Sequence, residues 1–257
     1  MRLALLASAA LLVAPISAQA QSLLDGWNQG QVTVYGWIPG IKGSQEFPSG
    51  EPVVDLDTPD LLDLLNFGFF GTGEIRRDRV GLVFDLAYAD LGQDGEVRGA
   101  LLPGADPANG SVDTTLLMVT GAVAYRFYED GPRWADIYGG ARFIDVDTDI
   151  SVRIPGIGFR ADRSSSINWV DAIVGLRGHT PLSERFAVTG LVDVGGFGIG
   201  SSSNLTWQAQ ATLDYAFTDR VIGRLGYRYM SIDYDVGSDL TLDMDLHGPL
   251  LGVTWTF

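Results

Sequence analysis

The chain ends on Leu251-Gly252-Val253-Thr254-Trp255-Thr256-Phe257, where apolar residues at 251, 253, 255 and 257 alternate with small or polar ones and an aromatic residue carries the carboxyl terminus. A strict period of two describes a strand with one apolar and one polar face. The same alternation recurs upstream. Leu205, Trp207, Ala209, Ala211, Leu213, Tyr215 and Phe217 share one phase, against Asn204, Thr206, Gln208, Gln210, Thr212 and Asp214 on the other. Val221, Leu225, Tyr227 and Tyr229 stand opposite Arg224, Gly226 and Arg228. The apolar faces must meet either a protein core or lipid.

The amino terminus bears on that choice. Arg2, the apolar run from Leu3 to Val13 and the small-residue site Ala18-Gln19-Ala20 read as a secretory signal peptide over residues 1–20, leaving 21–257 as one mature domain. Removing Arg2 with this leader takes one cation from 17 Lys+Arg and none of the 32 Asp+Glu, so the exported chain is strongly acidic and is no nucleic-acid binder. It has no cysteine for disulfide support. Past the leader no apolar run approaches the ~20 residues of a spanning helix, so a membrane location requires a closed barrel.

Ten stretches carry strand character, near 30–38, 67–76, 80–91, 111–127, 134–149, 166–179, 185–197, 203–217, 221–235 and 241–257. Short turns around 77–79, 128–133, 180–184 and 218–220 alternate with connections at 39–66, 92–110, 150–165, 198–202 and 236–240 that are mostly longer. This alternation gives an even strand count with both termini on the short-turn side, the plan of a transmembrane antiparallel up-and-down barrel with short periplasmic turns and longer extracellular loops. In the first of these loops, Thr58-Pro59-Asp60-Leu61-Leu62-Asp63-Leu64-Leu65-Asn66 predicts a short helix, with a capping threonine, proline at its first position and acid in its first turn. It is too short to stand alone, so its leucines are expected to pack on the barrel. Val53 to Asp57 before it are candidates for a short strand.

With the apolar phase outward, the inward phase collects Glu74, Arg76, Asp85, Arg126, Asp136, Arg142, Asp171, Arg177, Arg185, Asp193, Asp214, Arg224 and Arg228, six acids against seven arginines. In a soluble sandwich this face would be the solvated exterior. In a barrel it is the lumen, where near-equal numbers of both signs must pair, and arginine suits that pairing because its planar fork meets carboxylates bidentately. Arg224 is expected to serve a carboxylate such as Asp214. Tyr125, Phe127, Phe186, Tyr215, Phe217, Trp255 and Phe257 are expected in one interfacial aromatic girdle, and Tyr88, Trp169, Trp207 and Tyr229 in the other.

Motifs for chemistry are sparse. His179 and His247 are the two histidines, and both read as structural. No catalytic residue, cofactor or metal site is expected. The alternating acids Asp145-Val146-Asp147-Thr148-Asp149, Asp55-Leu56-Asp57, Asp233-Tyr234-Asp235 and Asp243-Met244-Asp245 read as a solvated extracellular rim, although oxygen clusters of this kind also suit divalent ions that bridge to lipopolysaccharide phosphates.

Tyr35-Gly36-Trp37-Ile38-Pro39-Gly40 with Gly43, Asp60-Leu61-Leu62-Asp63 leading to Asn66-Phe67, Glu74-Ile75-Arg76, Gly81-Leu82-Val83-Phe84-Asp85, and Trp169-Val170-Asp171 with Val174-Gly175-Leu176-Arg177 together resemble a family of proteobacterial outer-membrane β-barrel proteins of largely unassigned function. More loosely the chain is similar to barrels of the OmpA, OmpW and opacity-protein type. The resemblance spans most of the mature chain and implies a bacterial outer-membrane location among lipid and lipopolysaccharide. It also implies delivery by the barrel-assembly machinery, with Trp255 and Phe257 resembling the signal that machinery reads. The expected function is a non-enzymatic structural or surface barrel with a closed lumen, its surface partner open. The alternatives are a narrow channel for small solutes and, behind it, an outer-membrane hydrolase.

Overall fold

The computed structural model describes residues 27, 29–45, 53–56, 58–97, 108–154, 159–235 and 241–257; the proposed leader at 1–20 lies outside them. In chain order the elements are β1 Gln29–Trp37, β2 Gly40–Gln45, β3 Val53–Leu56, α1 Thr58–Leu64, β4 Leu65–Arg77, β5 Val80–Val97, β6 Ala108–Asp130, β7 Arg133–Ile154, β8 Phe159–Pro181, β9 Phe186–Gly196, β10 Leu205–Ala216, β11 Val221–Asp235 and β12 Thr241–Thr256. Ten of these strands, β1 and β4 to β12, follow one another antiparallel around a closed up-and-down barrel. Closure comes from β1 pairing with β12, Gln31 opposite Thr256 through Trp37 opposite Leu250. The Gly30 and Phe257 backbones exchange 2.9 Å hydrogen bonds at the foot of this seam.

The ten expected strands are present, and three connections differ from expectation. Residues 39–66 are not a plain loop. β2 continues the line of β1 past Ile38-Pro39 and pairs with β12, Gly40 opposite His247, and β3 pairs with β2, so a hairpin heightens the wall on the long-loop side. Proline interrupts the line because it has no N–H to give the ladder. α1 then rests against β2 and β5, with Leu61 buried and Leu62 exposed. The helix thus packs on the barrel itself.

Strands β6, β7 and β8 run 23, 22 and 23 residues, about twice the ~9 to 11 that cross a membrane, whereas β9 and β10 have 11 and 12. Within the expected loops at 92–110 and 150–165, residues 92–97, 108–110, 150–154 and 159–165 are therefore sheet, because polar alternation above the apolar belt leaves strand pairing intact while removing the signal used to find it. The outward face marks where the belt stops. Leu117 to Tyr125 gives way to Thr115 and Asp113 on β6, Phe143 to Asp145 on β7, and Tyr229 to Ser231 and Asp233 on β11. Below that line the outward residues are apolar and exposed, among them Leu82, Phe84, Val123, Val170, Val174, Leu213, Leu225, Leu251, Val253 and Trp255. A chain this rich in exposed contiguous apolar side chains is built to be surrounded by an apolar medium.

The face assignment yields a direct test. Ala211 is exposed in mid-strand on β10, and its neighbour Gln210 points inward, so Ala211→Arg is expected to destabilise the barrel by about 2 to 4 kcal/mol in lipid-vesicle refolding titrations and Gln210→Arg by less. Thr212, also inward, is a poor comparison because it is only 3% exposed and a larger side chain there meets packed neighbours. A neutral Ala211→Arg beside an unfolded Gln210→Arg would invert the faces.

Candidate functional site: the barrel lumen

The inward phase brings twelve of the thirteen sequence-predicted charged residues inside the barrel, in two connected groups and one isolated carboxylate. At the short-turn end, Asp136 is fully buried and lies between three arginines: its Oδ1 accepts from Arg126 Nε at 3.0 Å, and its Oδ2 from Arg177 Nη2 at 2.9 Å and from Arg76. Glu74 accepts from Arg76 and Arg177 at 2.8 Å each and from Gln31 Nε2 at 2.9 Å. Arg126 and Arg177 both lie over the Trp134 ring, at 4.6 and 5.4 Å from its centroid, a contact that stabilises desolvated guanidinium groups.

The second group lies further in. Asp193 accepts from Arg142 Nη2 at 2.9 Å, from the Tyr138 hydroxyl at 2.6 Å and from Gln208. Gln208 in turn accepts from Arg228 Nε at 2.9 Å, and Arg228 reaches the Tyr35 hydroxyl at 3.2 Å, whose proton goes to Asp85 at 2.9 Å. Tyr138 reaches Asp193 across β8 only because residue 175 is glycine; a Cβ there would stand 2.6 Å from the tyrosine ring.

Three expectations change. Asp171 takes no arginine among the described residues. It is fully buried and accepts from the Ser203 amide at 2.8 Å, the Ser203 hydroxyl at 2.9 Å, the Thr206 hydroxyl at 2.8 Å and Trp169 Nε1 at 3.2 Å. Ser203 carries no sequence signal, because the 197–204 connection folds back over the wall through Phe197, Gly198 and Gly200 at positive φ. Arg185 is exposed in the β8–β9 turn and donates to the Tyr215 hydroxyl at 3.3 Å, which leaves six arginines for six carboxylates inside. Arg224 is the loosest member: its Nε is 3.7 Å from Asp214, whose oxygens already accept from Thr212 at 2.7 Å and Thr189 at 2.6 Å.

The largest departure is apolar. Trp37, Phe70, Ala87, Met118, Ile144, Trp169, Met230, Ile232, Leu246 and Leu250 form a buried cluster inside the barrel on the long-loop side of the charges. Trp169, expected in an outer girdle, is 2% exposed and stacks on Tyr234 at 4.3 Å within this cluster. The signal existed in the sequence as a loss of alternation, for Leu116-Leu117-Met118-Val119 and Phe143-Ile144 are apolar on both phases. Of the outer aromatics, Trp207 stacks on Tyr229, and Tyr229 on His247, on the outward face. Between the apolar cluster and the ion pairs at the turn end lies a cavity of about 130 Å³, bordered by Gln31, Glu74, Asp85, Arg177, Arg224 and Arg228 among others.

His179 is inward on β8, stacked on Trp134, with Nδ1 2.9 Å from the Thr189 hydroxyl and 3.9 Å from Asp214. This combination of residue types suggests a hydrolytic triad, but the geometry is wrong for one. The Thr189 proton goes to Asp214, whereas nucleophile activation needs it directed at the imidazole with the carboxylate on the other nitrogen. His247 faces outward and meets the Tyr227 hydroxyl at 2.8 Å. Asp145, Asp147 and Asp149 lie on the outward phase of β7 above the belt, and no group of three potential metal ligands gathers among the described residues.

The contrast between Asp136 and Arg224 sets a measurable order. Asp136→Ala takes one carboxylate from three guanidinium groups, leaving Arg126 with only the exposed Glu129 and Arg76 and Arg177 sharing Glu74, and is expected to cost about 3 to 5 kcal/mol. Arg224→Ala should cost well under half of that, since Asp214 keeps both hydroxyl donors; urea unfolding in lipid vesicles reads both on one scale.

No protein-family model and no curated protein matches the chain. Among solved structures it is similar to the outer-membrane protease OmpT of Escherichia coli, with 9% identity, 90% of this chain and 97% of that chain covered and a TM-score of 0.54. It is also similar to the translocator domain of the autotransporter NalP of Neisseria meningitidis (14% identity, 93% and 94% covered, TM-score 0.47) and to Neisserial surface protein A (16%, 89% and 97%, TM-score 0.32). With its ten strands, apolar outer face and charged interior, the chain has the fold of an outer-membrane β-barrel protein.

Proposed function

We propose that this protein is an integral barrel of the bacterial outer membrane that works without catalysis, as a structural or surface element whose lumen is closed. The observation that carries this reading is the apolar cluster across the interior. Water and ions do not pass side chains packed this closely, and the ion pairs below them narrow the ten-stranded section to a small cavity. The charge network has a structural role: six arginines and five carboxylates, Asp171 being served by neutral donors, hold opposite walls together where single charges would be costly. The outward belt meets lipid, and the acidic outward face above it is a solvated rim at the level of lipopolysaccharide. Export through the residue 1–20 leader brings the chain to the barrel-assembly machinery, which reads Trp255 and Phe257; both are exposed at the seam, where a receptor strand has access to them.

The protein is expected in the outer-membrane fraction and to give no steady conductance in planar bilayers. Removing two plug residues together, Trp169→Ala with Met230→Ala, should produce a leak. Steady conductance of the unaltered protein would replace the closed-barrel reading with that of a narrow channel, and recovery in the soluble periplasm would end both.

Deleting Phe257 is expected to lower outer-membrane yield several-fold, while shortening the 98–107 connection leaves it near normal. Equal yields would remove the assembly role from the terminal aromatic.

A further inference from the structure

The luminal cavity contains an arginine whose hydrogen-bonding capacity is largely unspent. Each carboxylate on its border is taken up: Glu74 by Arg76, Arg177 and Gln31, Asp85 by Tyr35 with Arg228 at 3.8 Å, and Asp193 by Arg142, Tyr138 and Gln208. Two of its arginines are engaged by carboxylates or hydroxyls at short range: Arg177 through Nη2 with Glu74 and Asp136, although its Nε is unpartnered, and Arg228 with Gln208, Tyr35 and the Trp37 face. Arg224 differs. Its Nε has no hydrogen-bond partner among the described residues, its Nη2 reaches the neutral Gln31 Oε1 only at 3.5 Å, and the carboxylate beside it is 3.7 Å away and already holds two hydroxyl protons.

The local charge count agrees. The inward side chains at the turn end are four buried or partly buried arginines, 76, 126, 177 and 224, against the three buried carboxylates Glu74, Asp136 and Asp214; the exposed Glu129 meets Arg126 at 3.4 Å. The sixth carboxylate, Asp171, is withdrawn from this account because neutral donors satisfy it elsewhere. A guanidinium removed from bulk water with a neutral amide as its nearest acceptor favours an oxyanion, which it meets with two parallel N–H donors. The cavity of about 130 Å³ beside it has room for a group of a few heavy atoms. The geometry points to a binding site for a small oxyanion, a carboxylate or a phosphate, held by Arg224 in the cavity on the turn side of the apolar cluster. This rests on the closed-lumen reading only for the side from which the anion enters.

Isothermal titration of the full-length protein in detergent with inorganic phosphate and, separately, with acetate, each against chloride at equal ionic strength, tests the site. Saturable binding of either anion is expected, at least tenfold weaker in Arg224→Gln and intermediate in Arg224→Lys, which keeps the charge but not the paired donors; the anion that binds more tightly identifies the source. Absence of saturable binding of both anions to the unaltered protein, or undiminished binding in Arg224→Gln, overturns the proposal. Should Arg224→Gln fail to fold, Gln31→Glu decides, for it sets a carboxylate where the arginine now meets an amide. Loss of binding is expected there, and unchanged binding overturns the site. Conductance is read separately, so a barrel that conducts but does not bind, or binds but does not conduct, separates this inference from the closed-lumen reading.

Discussion

Every backbone N–H and C=O within the apolar belt needs a partner supplied by the protein, because the surrounding medium offers none. The pairing of β1 with β12 meets that condition: seven residue pairs from Gln31–Thr256 to Trp37–Leu250 join the first strand to the last and leave the belt without an edge. Where β1 breaks at Ile38-Pro39, β2 takes over the same face of β12, and the edge stays covered. The barrel's other properties follow from closure, since a closed wall has an inside whose contents must be satisfied by one another.

That inside is filled in two chemically distinct ways. Toward the turns it holds arginines and carboxylates in which one acceptor serves several donors, as Asp136 does for Arg76, Arg126 and Arg177. Toward the long connections it holds tryptophan, methionine, isoleucine and leucine packed as in a soluble core. The division has a physical basis. Paired charges fix the relative positions of facing strands by direction, whereas apolar side chains exclude water by volume without fixed geometry. Met118 and Met230 suit the irregular space between strands because their side chains bend to fit it.

The arginine count gives the interior its remaining asymmetry. With Asp171 held by serine, threonine and tryptophan donors, the turn end keeps one cation more than its carboxylates require. Arg224 is that cation, and it borders the cavity. Structure, closure and a candidate ligand site are thereby linked through one group of side chains on β1, β4, β8, β10 and β11.

The sequence alone determined the wall. Period-two alternation is a local property of the backbone, so Leu205 to Phe217 or Val221 to Tyr229 revealed both strand and face, and the alternation of short and long connections set the strand number and the side of the termini. The inward set from Glu74 to Arg228 was legible for the same reason. Which of those charges meet was not, because partners come from strands that chain order does not make neighbours, as with Arg177 and Glu74 or Arg142 and Asp193. Only the tertiary structure showed that Asp171 is served by Ser203, that Trp169 turns inward, and that Arg224 is left nearly unspent. The β-period says which side of the wall a residue occupies; barrel closure and strand stagger decide what stands opposite it.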